Sequence, residues 1–342
     1  MKKPYFPALD GLRAISVFLV ISCHVRTKSS WLARFPGWLG VDIFFVLSGF
    51  LITTLLLQEQ SVFGRVDLGA FYLRRFFRIV PLYALMLITY LALCYNSPLK
   101  WELIKSALPH YLTFTNEFVP LGTPYSFSWT LGIEEKFYLV WPVLYFVFLR
   151  GRGRLLALVL LYPALIAMLS FRSGRSYCGL MAGCVLAIFL SSRGLAGAKK
   201  FLSEKPTFLF AGFVIMGFYL VSRDERFTFL FAWIIAALIA HLLLSENWLG
   251  KALGVGWLTW IGRRSYGIYL IHGLAIDAVE AAIRPTNAFR QISVSVLTLA
   301  GAALIAEPIF RLVEEPARAY GKTLLKPKIA AQPRASEILG RA

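Results

Sequence analysis

Apolar residues fall in about ten long runs separated by short polar, basic or proline-bearing segments. The runs cover about 12–28, 38–57, 79–95, 129–149, 155–170, 177–192, 207–222, 229–245, 265–283 and 291–312. A bilayer core takes about 20 residues of helix, fewer for a short or tilted span. Inside lipid every peptide group must find its partner within the chain, which selects helices here. The pattern predicts an all-α polytopic transmembrane helical bundle of about ten spans, with N- and C-termini cytoplasmic. The first run reads as a retained helix, because no A-x-A-like cleavage site follows it.

No internal repeat or long linker divides the chain, so residues 1–325 are expected as one transmembrane domain. Residues 326–342, with Lys326, Pro327, Lys328, Pro333 and Arg334, read as a basic disordered tail. The segment at about 96–128, with Pro98, Pro109, Pro120 and Pro124, is expected to form a structured cap over the outer face.

Composition agrees with a membrane protein: 58% of the 342 residues are hydrophobic and mean hydropathy is +0.66. The net charge of +18 invites a nucleic-acid reading. Most Lys and Arg, however, fall in the segments that the predicted topology places inside, which is the positive-inside bias. The excess therefore sets orientation and attracts anionic lipid, and no nucleic-acid partner is expected. The four cysteines lie in spans and form no C-x-x-C pair, so neither a disulfide framework nor a metal site is indicated.

Ionisable residues within spans point to chemistry. His24 lies in the first run, eleven residues after Arg13; almost three helical turns put both on one face, roughly 16 Å apart along the axis. Imidazole suits proton transfer near neutral pH. Asp42 opens the second span at a similar depth to His24, where a carboxylate can orient an imidazole or simply cap the helix. Glu134 and Glu135 sit about one turn into a later span. They point about 100° apart, so at most one is expected to face the cavity of His24.

Arg74, Arg75 and Arg78 cluster at the predicted inner end of the third span. The cluster fits either an ordinary topology signal or an anion clamp, since guanidinium grips phosphate through two bonds. His272 lies mid-span in 265–283, with Tyr266 and Tyr269 one turn apart beside it, as a wall for the substrate or as a structural hydrogen bond.

Together, in this order, the residues resemble acyltransferase family 3 of integral membrane enzymes, over nearly the whole chain. The blocks that carry the resemblance are Leu9-Asp-Gly-Leu-Arg13 with ten residues to His24, and Gly40-Val-Asp-Ile-Phe-Phe-Val-Leu-Ser-Gly49. With them go Arg74-Arg75-x-x-Arg78-Ile-x-Pro81, Trp129-Thr-Leu-x-x-Glu-Glu-x-Phe-Tyr138 and Tyr266-x-x-Tyr-Leu-x-His272. Thr130 stands where the family usually has serine. Lys136 stands where it usually has glutamine, which puts a cation beside the glutamates.

The resemblance implies transfer of an acyl group, by default acetyl, from cytoplasmic acyl-CoA to a hydroxyl of a bacterial surface or lipid-linked carbohydrate, in the inner membrane and without a metal. His24 is then the expected general base, with Asp42 or Glu134 orienting it. Arg13, Arg74, Arg75 and Arg78 would hold CoA; Glu135, Tyr266, Tyr269 and His272 would line the acceptor site. Some relatives carry a hydrolase-like domain after the last span. This chain ends too soon for one, so any such partner is expected as a separate periplasmic protein. The alternative is a transporter or flippase for a lipid-linked sugar or small anion, against which stand the lack of an inverted repeat and the arginine triplet at one face.

Overall fold

The computed structural model describes residues 5–25, 36–148, 172–192, 195–283 and 288–330, and every regular element among them is helical. Helix α1 spans Pro7–His24, α2 Leu39–Phe63, α3 Leu68–Cys94, α4 Pro98–Leu112 and α5 Trp129–Phe148. Helix α6 spans Arg172–Ser191, α7 Ala196–Glu204, α8 Thr207–Arg223 and α9 Thr228–Leu244. Helix α10 spans Trp248–Leu253, α11 Gly256–Arg263, α12 Ser265–Ala282 and α13 Ala288–Ile309; a π-turn at Phe310–Glu314 leads into α14, Glu315–Ala330.

Each predicted span that falls among the described residues corresponds to a helix; the one at 155–170 lies outside them. Among the described residues, five apolar helical stretches are long enough to cross a membrane: Pro7–His24, Leu39–Phe63, Leu68–Cys94, Glu225–Leu244 and Phe289–Leu325. A sixth is gained if Ser176–Ser191 and Ala196–Glu204, bent by 109° to one another, count as one span.

Local sequence sets the helix ends. Pro7 starts α1, where its missing N–H has no intrahelical partner to lose. The Asp67 carboxylate caps α3 by accepting from Ala70 N at 2.8 Å. Helix α3 therefore begins well before 79, and the arginine triplet stands inside it rather than at its end. Gly64, at φ +68°, closes α2 in the left-handed conformation. Helix α14 continues to Ala330, into the segment read as a tail.

Helices α2 and α6 approach with almost no side chain between them. A Cβ at Gly49 would collide with the Leu180 carbonyl, and one at Gly183 with the Val46 carbonyl. Such backbone proximity is how helices gain dispersion contact where lipid offers no hydrophobic drive. On one side of this pair, Phe45, Ile52, Leu82 and Ile268 belong to one buried cluster. On the other, Val46, Phe50, Phe231 and Ile239 belong to a second.

The 96–128 segment is structured, as expected. It contains α4 and short 3-10 turns at Asn116–Phe118 and Ser126–Ser128. Tyr125, at φ +70°, is buried in the left-handed region. Its ring packs against Tyr83, Tyr90, Tyr111 and Phe127, which hold that backbone in place.

Candidate active site

Two adjoining cavities run between the helices. The larger, about 970 Å³, is a vestibule whose wall includes Arg13, Arg65, Arg74, Arg75, Arg78, Arg263, Arg318 and Lys322 against Asp10, Glu59 and Asp67. The smaller, about 370 Å³, is lined by Ser48, Thr130, Glu134, Glu135, Tyr138 and Tyr269 among apolar side chains. Arg13, Arg75, Arg78, Ser265 and Tyr266 border both.

The arginines differ in their commitments. Arg74 is paired with Glu59 at 2.9 Å and Arg13 with Asp10 at 2.7 Å. Arg75 lies over the rings of Tyr138 at 5.1 Å and Phe71 at 5.7 Å, as weakly hydrated guanidinium does. Neither Arg75 nor Arg78 is in an ion pair among the described residues. They are the triplet's cations with charge to spare for an anion.

Both glutamates line the small cavity, although a helix turns 100° between them. Glu134 Oε1 accepts from Ser48 Oγ at 2.7 Å, and Ser48 Oγ is 2.9 Å from the Tyr138 hydroxyl. Oε1 of Glu135 is buried without a hydrogen-bond partner. The expected cation beside them is turned away: Lys136 Nζ is 2.6 Å from Glu117 Oε1 and donates to the Phe114 carbonyl at 2.8 Å. One residue further along the helix rotates the lysine off the cavity and onto the 96–128 segment.

Thr130 keeps the hydroxyl role: its Oγ1 donates to the Tyr269 hydroxyl at 2.8 Å, which donates to the Phe127 carbonyl at 2.7 Å. The Tyr266 hydroxyl donates to the Ile79 carbonyl at 2.9 Å. Both tyrosines line the small cavity, but their hydroxyl hydrogens are committed to backbone.

His24 is the last residue of α1, and it is exposed; residues 26–28 of the predicted span lie outside the described residues. It is not on the wall of either cavity. Its Nδ1 is 2.8 Å from the Val20 carbonyl. A carbonyl only accepts, so Nδ1 carries the hydrogen and Nε2 the lone pair. This tautomer is set by backbone and needs no carboxylate, which differs from the expectation that Asp42 or Glu134 fixes it. Asp42 is buried in the first turn of α2, and Glu134 is held by Ser48.

The fully enclosed partner is His272. Its Nδ1 bonds the Tyr269 carbonyl, and its Nε2 is buried without a partner. Its ring centroid is 5.0 Å from that of His24, 4.6 Å from Phe127 and 5.4 Å from Tyr269. Tyr269 therefore links the small cavity to the histidine pair. Ser48 and Tyr138 stand within the motif blocks without a role of their own in the sequence, and Phe127 carries no signal there. Among the described residues no group of His, Cys, Asp and Glu could hold a metal ion.

Comparison with known proteins extends this geometry. The family described as "Acyltransferase domain" matches residues 6–307. The peptidoglycan O-acetyltransferase OatA of Listeria monocytogenes is 30% identical over 93% of this chain and 57% of its own length. The putative peptidoglycan O-acetyltransferase YrhL of Bacillus subtilis is 31% identical over 93% and 55%. The O-acetyltransferase OatA of Staphylococcus aureus is 28% identical over 93% and 58%. The chain thus spans a little over half the length of the curated relatives it matches. No solved structure matches it. With the family match running from the start of α1 almost to the end of α13, the chain belongs to acyltransferase family 3.

Proposed function

We propose that this chain is a multi-pass O-acyltransferase of the cytoplasmic membrane that moves an acyl group, acetyl by default, from acyl-CoA to a hydroxyl of a cell-wall carbohydrate of the peptidoglycan class. The relatives' names support the acceptor class and the acetyl group. The observation that carries the mechanism is the sequence of spaces: a broad basic vestibule, a narrow cavity sharing Arg13, Arg75 and Arg78 with it, and a pair of histidines beyond Tyr269.

In this reading the donor's phosphates stay in the vestibule with Arg13, Arg74, Arg75 and Arg78. Charged phosphate is thereby kept out of the lipid, where it would be very unfavourable. The thin thioester arm enters the narrow cavity past Glu135, Tyr266 and Tyr269. His24 Nε2, unprotonated at rest, takes the proton of the acceptor hydroxyl. The oxygen attacks the thioester carbonyl carbon, the C–S bond breaks, and the proton passes from His24 to the departing sulfur. Asp42 and Glu134 supply negative charge that favours the transient imidazolium, and His272 accepts a hydrogen bond beside it.

The test is free-thiol release from acetyl-CoA by the protein in nanodiscs, with peptidoglycan fragments as acceptor. Release should need the acceptor and vanish in a His24→Ala variant that inserts and folds as the parent does. Full turnover by that variant would remove His24 from the chemistry.

A further inference from the structure

We propose that Arg318 is a phosphate ligand of the vestibule, and that a phosphate of a nucleotide donor seats between its guanidinium and that of Arg78. The proposal rests on the donor reading above and adds a residue beyond the part of the chain that the family matches, residues 6–307.

After Pro308 the chain makes the π-turn, an irregularity that inserts a residue and re-aims the helix after it. It delivers Glu314, 2% exposed, next to Arg318 on α14. Gly321 holds α14 hard against α3, since a Cβ there would stand 2.7 Å from the Phe77 ring. Arg318 thus lines the vestibule together with Arg13, Arg75 and Arg78. Its guanidinium also lies 5.5 Å from the centroid of Phe310, which Arg264 approaches at 4.8 Å.

The Glu314–Arg318 pair is only half made. Arg318 Nη2 donates to Glu314 Oε2 at 2.5 Å. Arg318 Nε and Glu314 Oε1, the atoms that a second parallel bond would join, are both buried without a partner. A pair whose role is purely structural gains from closing both bonds, because each orphaned buried polar atom is unfavourable. Glu314 is moreover within range of Arg78, Arg264 and Arg318 together, with Glu315 also near Arg318, and the vestibule wall carries more cations than carboxylates. Arg264 has its own partner in Glu307. The surplus positive charge and the free Nε–H both call for one more anion, and a phosphate oxygen supplies it.

The experiment measures binding of CoA and of adenosine 3′,5′-bisphosphate to the full chain in phosphatidylcholine nanodiscs. Arg318→Gln should raise Kd by about tenfold or more, the size expected for one charge-assisted hydrogen bond. Arg318→Lys keeps the charge opposite Glu314, and with it the fold, but loses the planar fork; it should raise Kd by about fivefold. Parent-like Kd in both variants, with Arg78→Gln still weakened, overturns this proposal and leaves the donor reading standing. Failure of the parent to bind either nucleotide overturns both. If phosphatidylglycerol in the nanodisc weakens CoA binding to the parent but not to Arg318→Gln, while Arg318→Gln binds CoA like the parent without it, the site belongs to a lipid headgroup and the proposal falls.

Discussion

The imidazoles of His24 and His272 meet edge to face, with ring centroids 5.0 Å apart. Each ring gives its Nδ1 hydrogen to a backbone carbonyl, Val20 for one and Tyr269 for the other. Each therefore presents an Nε2 lone pair, and that of His272 is buried with nothing to accept from. Two such lone pairs call for a donor between them. The acceptor hydroxyl is one; the Nε2–H that His24 gains in the reaction is another.

His272→Phe should test this pairing. The ring volume and the packing on Phe127 persist, and only the acceptor goes. The turnover number is expected to fall by about tenfold or more, as for a lost hydrogen bond to a charged group, with KM for acyl-CoA little changed. His272→Gln, whose side-chain oxygen can accept, should recover part of the loss. Thiol-release kinetics on both variants decide it; a parent-like turnover number in His272→Phe would make His272 a packing residue.

Much of the fold was legible because lipid leaves few options. Apolar runs of span length become helices, and the ends at 129, 207 and 265 match those observed. The start of α3 was not, since 68–78 is rich in arginine and carries little hydropathy signal; the Asp67 cap and the vestibule, which keeps those arginines wet, make it helical. Spacing grouped Arg74, Arg75 and Arg78 but did not place Arg75, Arg78, Glu134 and Tyr269 on the wall of one cavity, where they stand. It could not show that His24 faces His272, because that contact depends on how α1 and α12 pack. Nor could it reveal Lys136 turning to Glu117, whose sequence neighbourhood carries no motif.

The arginine triplet should divide by its ion pairs. Arg78→Ala and Arg75→Ala each remove a cation that stands in no ion pair among the described residues. Each should raise KM for acyl-CoA by roughly tenfold to a hundredfold, from about 1.5–3 kcal/mol per charged hydrogen bond, with acceptor dependence unchanged. Arg74→Ala removes a cation already held by Glu59 at 2.9 Å and should have the smallest effect of the three. Equal effects from all three, read as donor titrations, would mean that the cluster acts through net charge alone.

The seam between α2 and α6 admits no side chain. Gly183→Val places carbon atoms where the Val46 carbonyl and Phe50 N stand, so the helices must separate and expose polar backbone. Overpacking of this kind is unfavourable by about 1–3 kcal/mol or more. A lower melting temperature is expected in detergent, together with lost activity, because Ser48 and Phe45 of the cavity wall ride on α2. A variant with the parent's melting temperature would show that the seam is looser than its geometry.

Lys136 offers the sharpest contrast between a stabilising role and a catalytic one. It sits next to Glu135 in sequence, yet its ammonium closes on Glu117, whose side chain is only 6% exposed. Removing one partner of such a pair strands the other, at a cost of about 3–5 kcal/mol, whereas removing both charges is far milder. Lys136→Met should therefore lower the melting temperature markedly, and the double variant Lys136→Met with Glu117→Gln should restore most of it. Because Lys136 points away from the cavity of Glu134 and Glu135, the double variant should also keep KM for acyl-CoA near that of the parent. A double variant as unstable as the single one would show that the bond from Lys136 to the Phe114 carbonyl, and not the ion pair, anchors the 96–128 segment to α5.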